Sequence, residues 1–135
     1  MKMSTEIPAA MLAPCGMNCY VCYVYLKEKK PCLGCRGREE SKPEHCRKCK
    51  IKDCALSRGV DFCFDCPTFP CSTIKRMDKG YKQRYQVSLM ENAIRIKAVG
   101  AKQHLLEEKE KWTCLHCGGI ISLHDRVCSD CGREA

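Results

Sequence analysis

Twelve of the chain's cysteines stand in six Cys-x-x-Cys pairs, at 19/22, 32/35, 46/49, 63/66, 114/117 and 128/131. Two intervening residues let both sulfurs turn onto one ion, a spacing that disulfide frameworks do not need. Cys15, Cys54 and Cys71 bring the total to fifteen, and full disulfide pairing of an odd number leaves one thiol over. Met1 to Leu12 contains Lys2, Glu6 and Pro8 and no apolar run, so no secretory signal is read there. No stretch approaches the roughly 18 apolar residues of a membrane span. The expected location is cytoplasmic, where disulfides seldom persist. The expected class is therefore metal–thiolate. At 135 residues the chain buries a modest core, so metal staples matter to its stability.

The formal net charge of +8 points to a nucleic-acid partner only while every cysteine counts as neutral. Metal-bound cysteines are thiolates. With all fifteen bound around four divalent ions, the charge falls to roughly +1. Lys29 and Lys30 before Cys32, and Arg47, Lys48, Lys50 and Lys52 around Cys49, stand where they would neutralise thiolate charge.

The expected fold is a small metal-stabilised α+β arrangement in four parts. Residues 1–12 form a leader that frays in part. Residues 13–76 are an irregular multi-cysteine, metal-binding region with short helices. Residues 77–111 lack cysteine and read as a helical hairpin, and residues 112–135 read as a zinc ribbon. Within the second part, Met17 to Lys29 reads as a helix capped by Asn18 and stopped at Pro31. Residues 36–45 read as a surface loop. Cys46, Cys49 and Cys54 have the spacing of Cys63, Cys66 and Cys71, a local repeat whose two copies are read as each supplying ligands to a site. Tyr81 to Val99 reads as one amphipathic helix ended by a left-handed Gly100. Residues 101–111 begin the next, with Leu105 and Leu106 inward and Glu107 paired with Lys111.

The most specific signal lies at the C-terminal end. Cys114 and Cys117 precede Gly118, Cys128 and Cys131 precede Gly132, and ten residues separate the pairs. A zinc knuckle needs a tight turn whose amides face the sulfurs, and glycine takes the positive φ that closes it. Residues 120–127 alternate enough for a short hairpin around Asp125. Four thiolates close a tetrahedron, which leaves His116 and His124 as exposed residues rather than ligands. Rubredoxin-type iron uses the same donor set.

The other candidate ligands are Cys15, Cys19, Cys22, Cys32, Cys35, Cys46, Cys49, Cys54, Cys63, Cys66 and Cys71. Three tetrahedral sites need twelve donors, which makes His45 a candidate twelfth. Two sites plus three free thiols, or a shared bridging thiolate, are the alternatives. Cys15, Cys19 and Cys22 also have the spacing that holds the cluster of radical S-adenosylmethionine enzymes. A chain this short, without βα repeats, does not build their barrel. Cys66-Pro67 and Pro70-Cys71 have the prolines of ferredoxin cysteines without the ferredoxin run.

Leu12-Ala-Pro-Cys15-Gly16-Met-Asn-Cys19-x-x-Cys22, Cys32-Leu-Gly-Cys35-Arg36 and Phe62-Cys63-Phe-Asp-Cys66-Pro-Thr-Phe69-Pro70-Cys71 together resemble the prokaryotic "domain of unknown function 3795" family. The resemblance runs over about residues 12–132. It implies a cysteine-rich, metal-binding protein of bacteria and archaea, often anaerobes, and it implies no reaction.

Two functions follow as expectations. The first is a protein with several zinc ions acting as a metal-stabilised binding or adaptor module for a protein or nucleic-acid partner. The second is an iron–sulfur or thiol redox protein using the cysteines of residues 13–76. No nucleophile–base pair, phosphate loop or carboxylate pair marks an enzyme.

Overall fold

The computed structural model describes residues 1–27, 31–37, 42–47 and 49–134, the side chains of Glu44 and His45 excepted. Lys29, Lys30, Lys48 and positions 38–41 of the expected surface loop lie outside the described residues, as does the His45 side chain. The helices are α1 (Tyr23–Leu26), α2 (Glu44–Arg47), α3 (Lys50–Arg58), α4 (Ser72–Tyr85), α5 (Leu89–Val99) and α6 (Ala101–Trp112). Single 3-10 turns occupy Ala9–Met11, Cys19–Val21 and Cys63–Asp65. Among the described residues β structure is confined to isolated bridges, such as Thr113 with Ile120 and Ile121 with Cys128. The molecule is thus mostly helical where an α+β arrangement was expected, because the segments between knuckle turns are too short to run a ladder. No helix among the described residues is long and apolar enough to cross a membrane.

Asn18 caps the first cysteine turn as expected, its side chain accepting the Tyr20 N–H at 3.1 Å. The helix expected over Met17 to Lys29 is instead a 3-10 turn and the one-turn α1, divided by the extended backbone of Cys22. The Cys32 N–H then donates to the Val24 carbonyl at 3.0 Å, which turns the chain back beside α1.

The stretch expected as one helix over Tyr81 to Val99 is two. Helix α4 stops at Gln86, in the left-handed region at φ 54°, and α5 restarts after Ser88, whose hydroxyl accepts the Glu91 N–H. Ser88-x-x-Glu91 is the sequence signature of a helix start, and here it outweighs the continuous apolar stripe. Asp78 on α4 fixes the break by accepting from the Ser88 hydroxyl at 2.9 Å and the Met90 N–H at 3.1 Å. Gly100 takes a positive φ of 89°, but its ψ of 160° is extended rather than left-handed helical, so α6 begins at once. Leu105 is buried as expected, whereas Leu106 is exposed. Glu107 reaches across to Arg95 of α5 with two hydrogen bonds, at 2.9 and 2.5 Å, in place of Lys111. A planar guanidinium matches a carboxylate at two points, which an ammonium does not.

The core runs from Leu12 and Val21 through Ile74 and Leu89 to Ile120. Residues 1–12 are held at both ends rather than frayed. The Met3 N–H donates to the Gly118 carbonyl at 2.9 Å, the Ile120 N–H donates to the Met1 carbonyl at 2.8 Å, and Ile7, Met11 and Leu12 are buried. Two further bonds tie distant segments to the first cysteine turns, Leu123 N–H to the Val21 carbonyl and Cys63 N–H to the Pro14 carbonyl.

Candidate metal centres

Three groups of thiols emerge, and every cysteine belongs to one. The C-terminal group is built from two knuckle turns. In the first, the Gly118 N–H donates to the Cys114 carbonyl and the Gly119 N–H faces the Cys117 sulfur at 3.3 Å. In the second, the Gly132 N–H donates to the Cys128 carbonyl and the Asp130 N–H faces the Cys128 sulfur at 3.4 Å. Gly118 and Gly132 close these turns at φ 74° and 75°. The sulfurs of Cys114, Cys117, Cys128 and Cys131 all lie within 4.8 Å of one another. The Cys114–Cys131 separation is 3.8 Å and the Cys117–Cys128 separation is 3.5 Å. An ion bonded tetrahedrally to thiolates at about 2.3 Å sets its sulfurs about 3.8 Å apart. The donor set and its spacing therefore fit one metal ion.

Local electrostatics assist that role. Burial opposes ionisation of Cys128, but the Cys131 and Asp130 amides and the Cys117 and Cys131 thiols outweigh it and bring Cys128 to about 6. Cys117 is pushed up to about 11, chiefly by burial. Neither expected-spectator histidine joins the quartet. His116 shares a 2.8 Å hydrogen bond with Arg133, and His124 packs edge-on between Tyr23 and Tyr85.

The second group surrounds a cavity of about 110 Å³ lined by Cys15, Cys19, Cys22, Cys32, Cys35, Cys46 and Cys49. Its thiols come from the first cysteine turns, the returning strand-like segment, α2 and the residue that starts α3. Tyr81 and Met77 of α4, with His124 of the C-terminal segment, complete the wall. The Cys35 N–H points at the Cys19 sulfur at 3.4 Å. Burial pushes Cys19 up to about 12 and Cys46 to about 11, and raises Cys15 as well. Burial and Cys49 also raise Cys35, and Lys42, Lys52 and Arg36 act against that rise. Lys42 and Lys52 are themselves only 3% and 5% exposed. The Lys52 ammonium donates to the Arg47 carbonyl at 3.0 Å and lies 3.8 Å from the Asp53 carboxylate, as a buried lysine requires.

The third group is Cys54 on α3 with Cys63, Cys66 and Cys71, around a smaller cavity of about 30 Å³ at the surface. The Thr68 hydroxyl and amide, with help from Arg58, lower Cys66. Burial and the neighbouring thiols raise Cys63 to about 11. No three sulfurs in the second or third group approach one another within 4.8 Å.

The grouping divides the first of the two repeated triplets between the cavities. Cys46 and Cys49 face the large cavity, while Cys54 joins the three cysteines of the second triplet. Helix α3 begins just after Cys49, and five residues of helix at 3.6 per turn carry Cys54 well round the axis from it. Tyr81 and Met77 carried no local signal of a site, because the chain brings them in on α4.

No curated protein and no solved structure matches the chain. A family model described as "Protein of unknown function (DUF3795)" matches residues 11–76, the segment that supplies all seven thiols of the large cavity and all four of the surface group. Through residues 11–76 the chain belongs to that cysteine-rich family of unknown function.

Proposed function

We propose that this is a cytoplasmic zinc-binding protein whose residues 112–135 form a zinc ribbon and whose fold, stapled by metal, serves as a binding module. The observation that carries the reading is the approach of four cysteine sulfurs at the C-terminal end to within 4.8 Å of one another. Four thiolates fill a four-coordinate ion and leave no open position for chemistry, so the ribbon metal is structural. In this reading residues 13–76 are the second metal-binding region, residues 77–111 are the helical segment between the two, and residues 1–12 are a leader laid on the ribbon.

The test is zinc per chain by elemental analysis, on the native protein and on Cys117→Ser. The expected result is a loss of about one zinc ion in the variant, since a four-thiolate site does not survive the loss of a donor. Unchanged zinc content overturns the ribbon. An iron–sulfur reading of residues 13–76 is the second one, favoured by the seven cysteines around one cavity of about 110 Å³, no three of whose sulfurs lie within 4.8 Å of one another.

A further inference from the structure

We propose that the seven-cysteine cavity is the site of an iron–sulfur cluster of cubane form, held by four of its thiolates. This rests on the reading of the cysteines as metal ligands but is independent of the zinc in the ribbon.

Three observations support it. The first is size. A cavity of about 110 Å³ is several times what one water-sized species needs, roughly 10–15 Å³, whereas the surface quartet encloses only about 30 Å³. The second is sulfur spacing. Two tetrahedral ions sharing one thiolate also consume seven cysteines, but each ion needs sulfurs about 3.8 Å apart. In the ribbon that spacing is present, and in the cavity no three sulfurs come within 4.8 Å. In a cubane each thiolate ends on a different iron, at a different corner, so its ligand sulfurs stand farther apart than around one ion. The third is charge. Lys42, Lys52 and Arg36 bring positive charge to Cys35 at the cavity wall, Lys52 while it is also held by the Arg47 carbonyl at 3.0 Å and lies 3.8 Å from the Asp53 carboxylate. The cavity wall is otherwise apolar and aromatic, with Val24, Met77 and Tyr81 among its residues, which limits water at the cluster.

The experiment uses the full chain, stripped of metal without oxygen and offered ferrous iron, sulfide and zinc together. Iron, acid-labile sulfide, zinc and the visible spectrum are measured on the same sample. The expected result is about four irons and four sulfides per chain with broad visible absorption, the composition of a four-cysteine cubane. Among single Cys→Ser variants at the seven cavity positions, about four lower iron by at least roughly tenfold, the loss typical even of an outer-shell partner, and all seven keep the ribbon zinc. Cys117→Ser does the reverse, so failure of the ribbon and failure of the cluster are distinguishable. Alkylation of the native chain, mapped by mass spectrometry, checks the location without any variant: loading protects cysteines of the cavity and leaves about three of the seven reactive. Uptake of zinc in place of iron and sulfide, with none of the seven thiols left reactive, overturns the proposal. So does protection confined to Cys54, Cys63, Cys66 and Cys71.

Discussion

A methyl group built onto Gly119 would lie 2.7 Å from the Cys128 sulfur, 2.7 Å from the Asp130 Cβ and 3.1 Å from the Cys117 sulfur. Sulfurs drawn onto one ion have no room to give, so Gly119→Ala is expected to weaken zinc binding at the proposed ribbon site by roughly tenfold or more. Gly118 is the internal comparison. It has a positive φ of 74°, but a methyl there meets nothing within 4 Å. Gly118→Ala is expected to cost only the backbone strain, about 1–2 kcal/mol, with zinc affinity nearly kept. Competition against a chromophoric chelator measures both. Equal losses in the two variants would show that crowding at the sulfurs is unimportant. The roles of Gly118 and Gly132 are legible in the sequence because they close a local turn. The role of Gly119 is not, because the atoms that crowd it include those of the other knuckle.

At the scale of elements, the α4–α5 break depends on one carboxylate. Burial works against ionisation of Asp78, but the Met90 amide, the Ser88 hydroxyl, Lys82 and the Leu89 amide prevail and hold it below the usual carboxylate range. Asp78→Ala leaves a helix start and a buried hydroxyl without their acceptor, and is expected to cost about 1–3 kcal/mol in chemical denaturation. The sign of the pH dependence follows from the depressed value. The stabilisation is full above the unfolded carboxylate pKa of about 3.9 and is lost as pH falls through the lower folded value. The native protein should therefore lose stability in acid more steeply than Asp78→Asn does. Arg95→Ala, which removes the exposed pair with Glu107, is expected to cost no more than about 1 kcal/mol, measured the same way. The existence of α6, and the apolar character of α5, could be read from periodicity. The break between α4 and α5 was written in Ser88 and Glu91, but what aims α5 is Asp78, ten residues before Ser88.

The whole molecule is fastened through Trp112, the chain's single tryptophan, which ends α6 and leads into the first knuckle. It is 3% exposed, donates its indole N–H to Glu108 and lies under the Arg126 guanidinium. Its carbonyl accepts the Ile121 N–H at 2.8 Å, which binds α6 to the segment between the knuckles. On the proposed reading, stripping metal from the four-cysteine cluster is expected to expose Trp112 and shift its fluorescence to longer wavelength, because metal binding and folding are one equilibrium at such a site. In Cys19→Ser, with the ribbon intact, the emission should stay in place. An unchanged emission after zinc removal would show that the apolar contacts of Trp112, rather than the metal, hold this end of the molecule.

The sequence by itself determined the chemistry and the local turns. The two Cys-x-x-Cys-Gly segments at 114–118 and 128–132 each make a knuckle turn, since two sulfurs and one positive φ are properties of a few adjacent residues. It also identified the family, through motifs of the same short range. Only the tertiary structure decided the partnership of the thiols. Cys54 leaves Cys49 because a helix rotates it away, and Tyr81 and His124 reach the large cavity from segments far along the chain. Spacing in the sequence specifies which sulfurs are able to share an ion, and packing of the helices specifies which line the same cavity, because side-chain direction on a helix is fixed by its rotation and its neighbours rather than by distance along the chain.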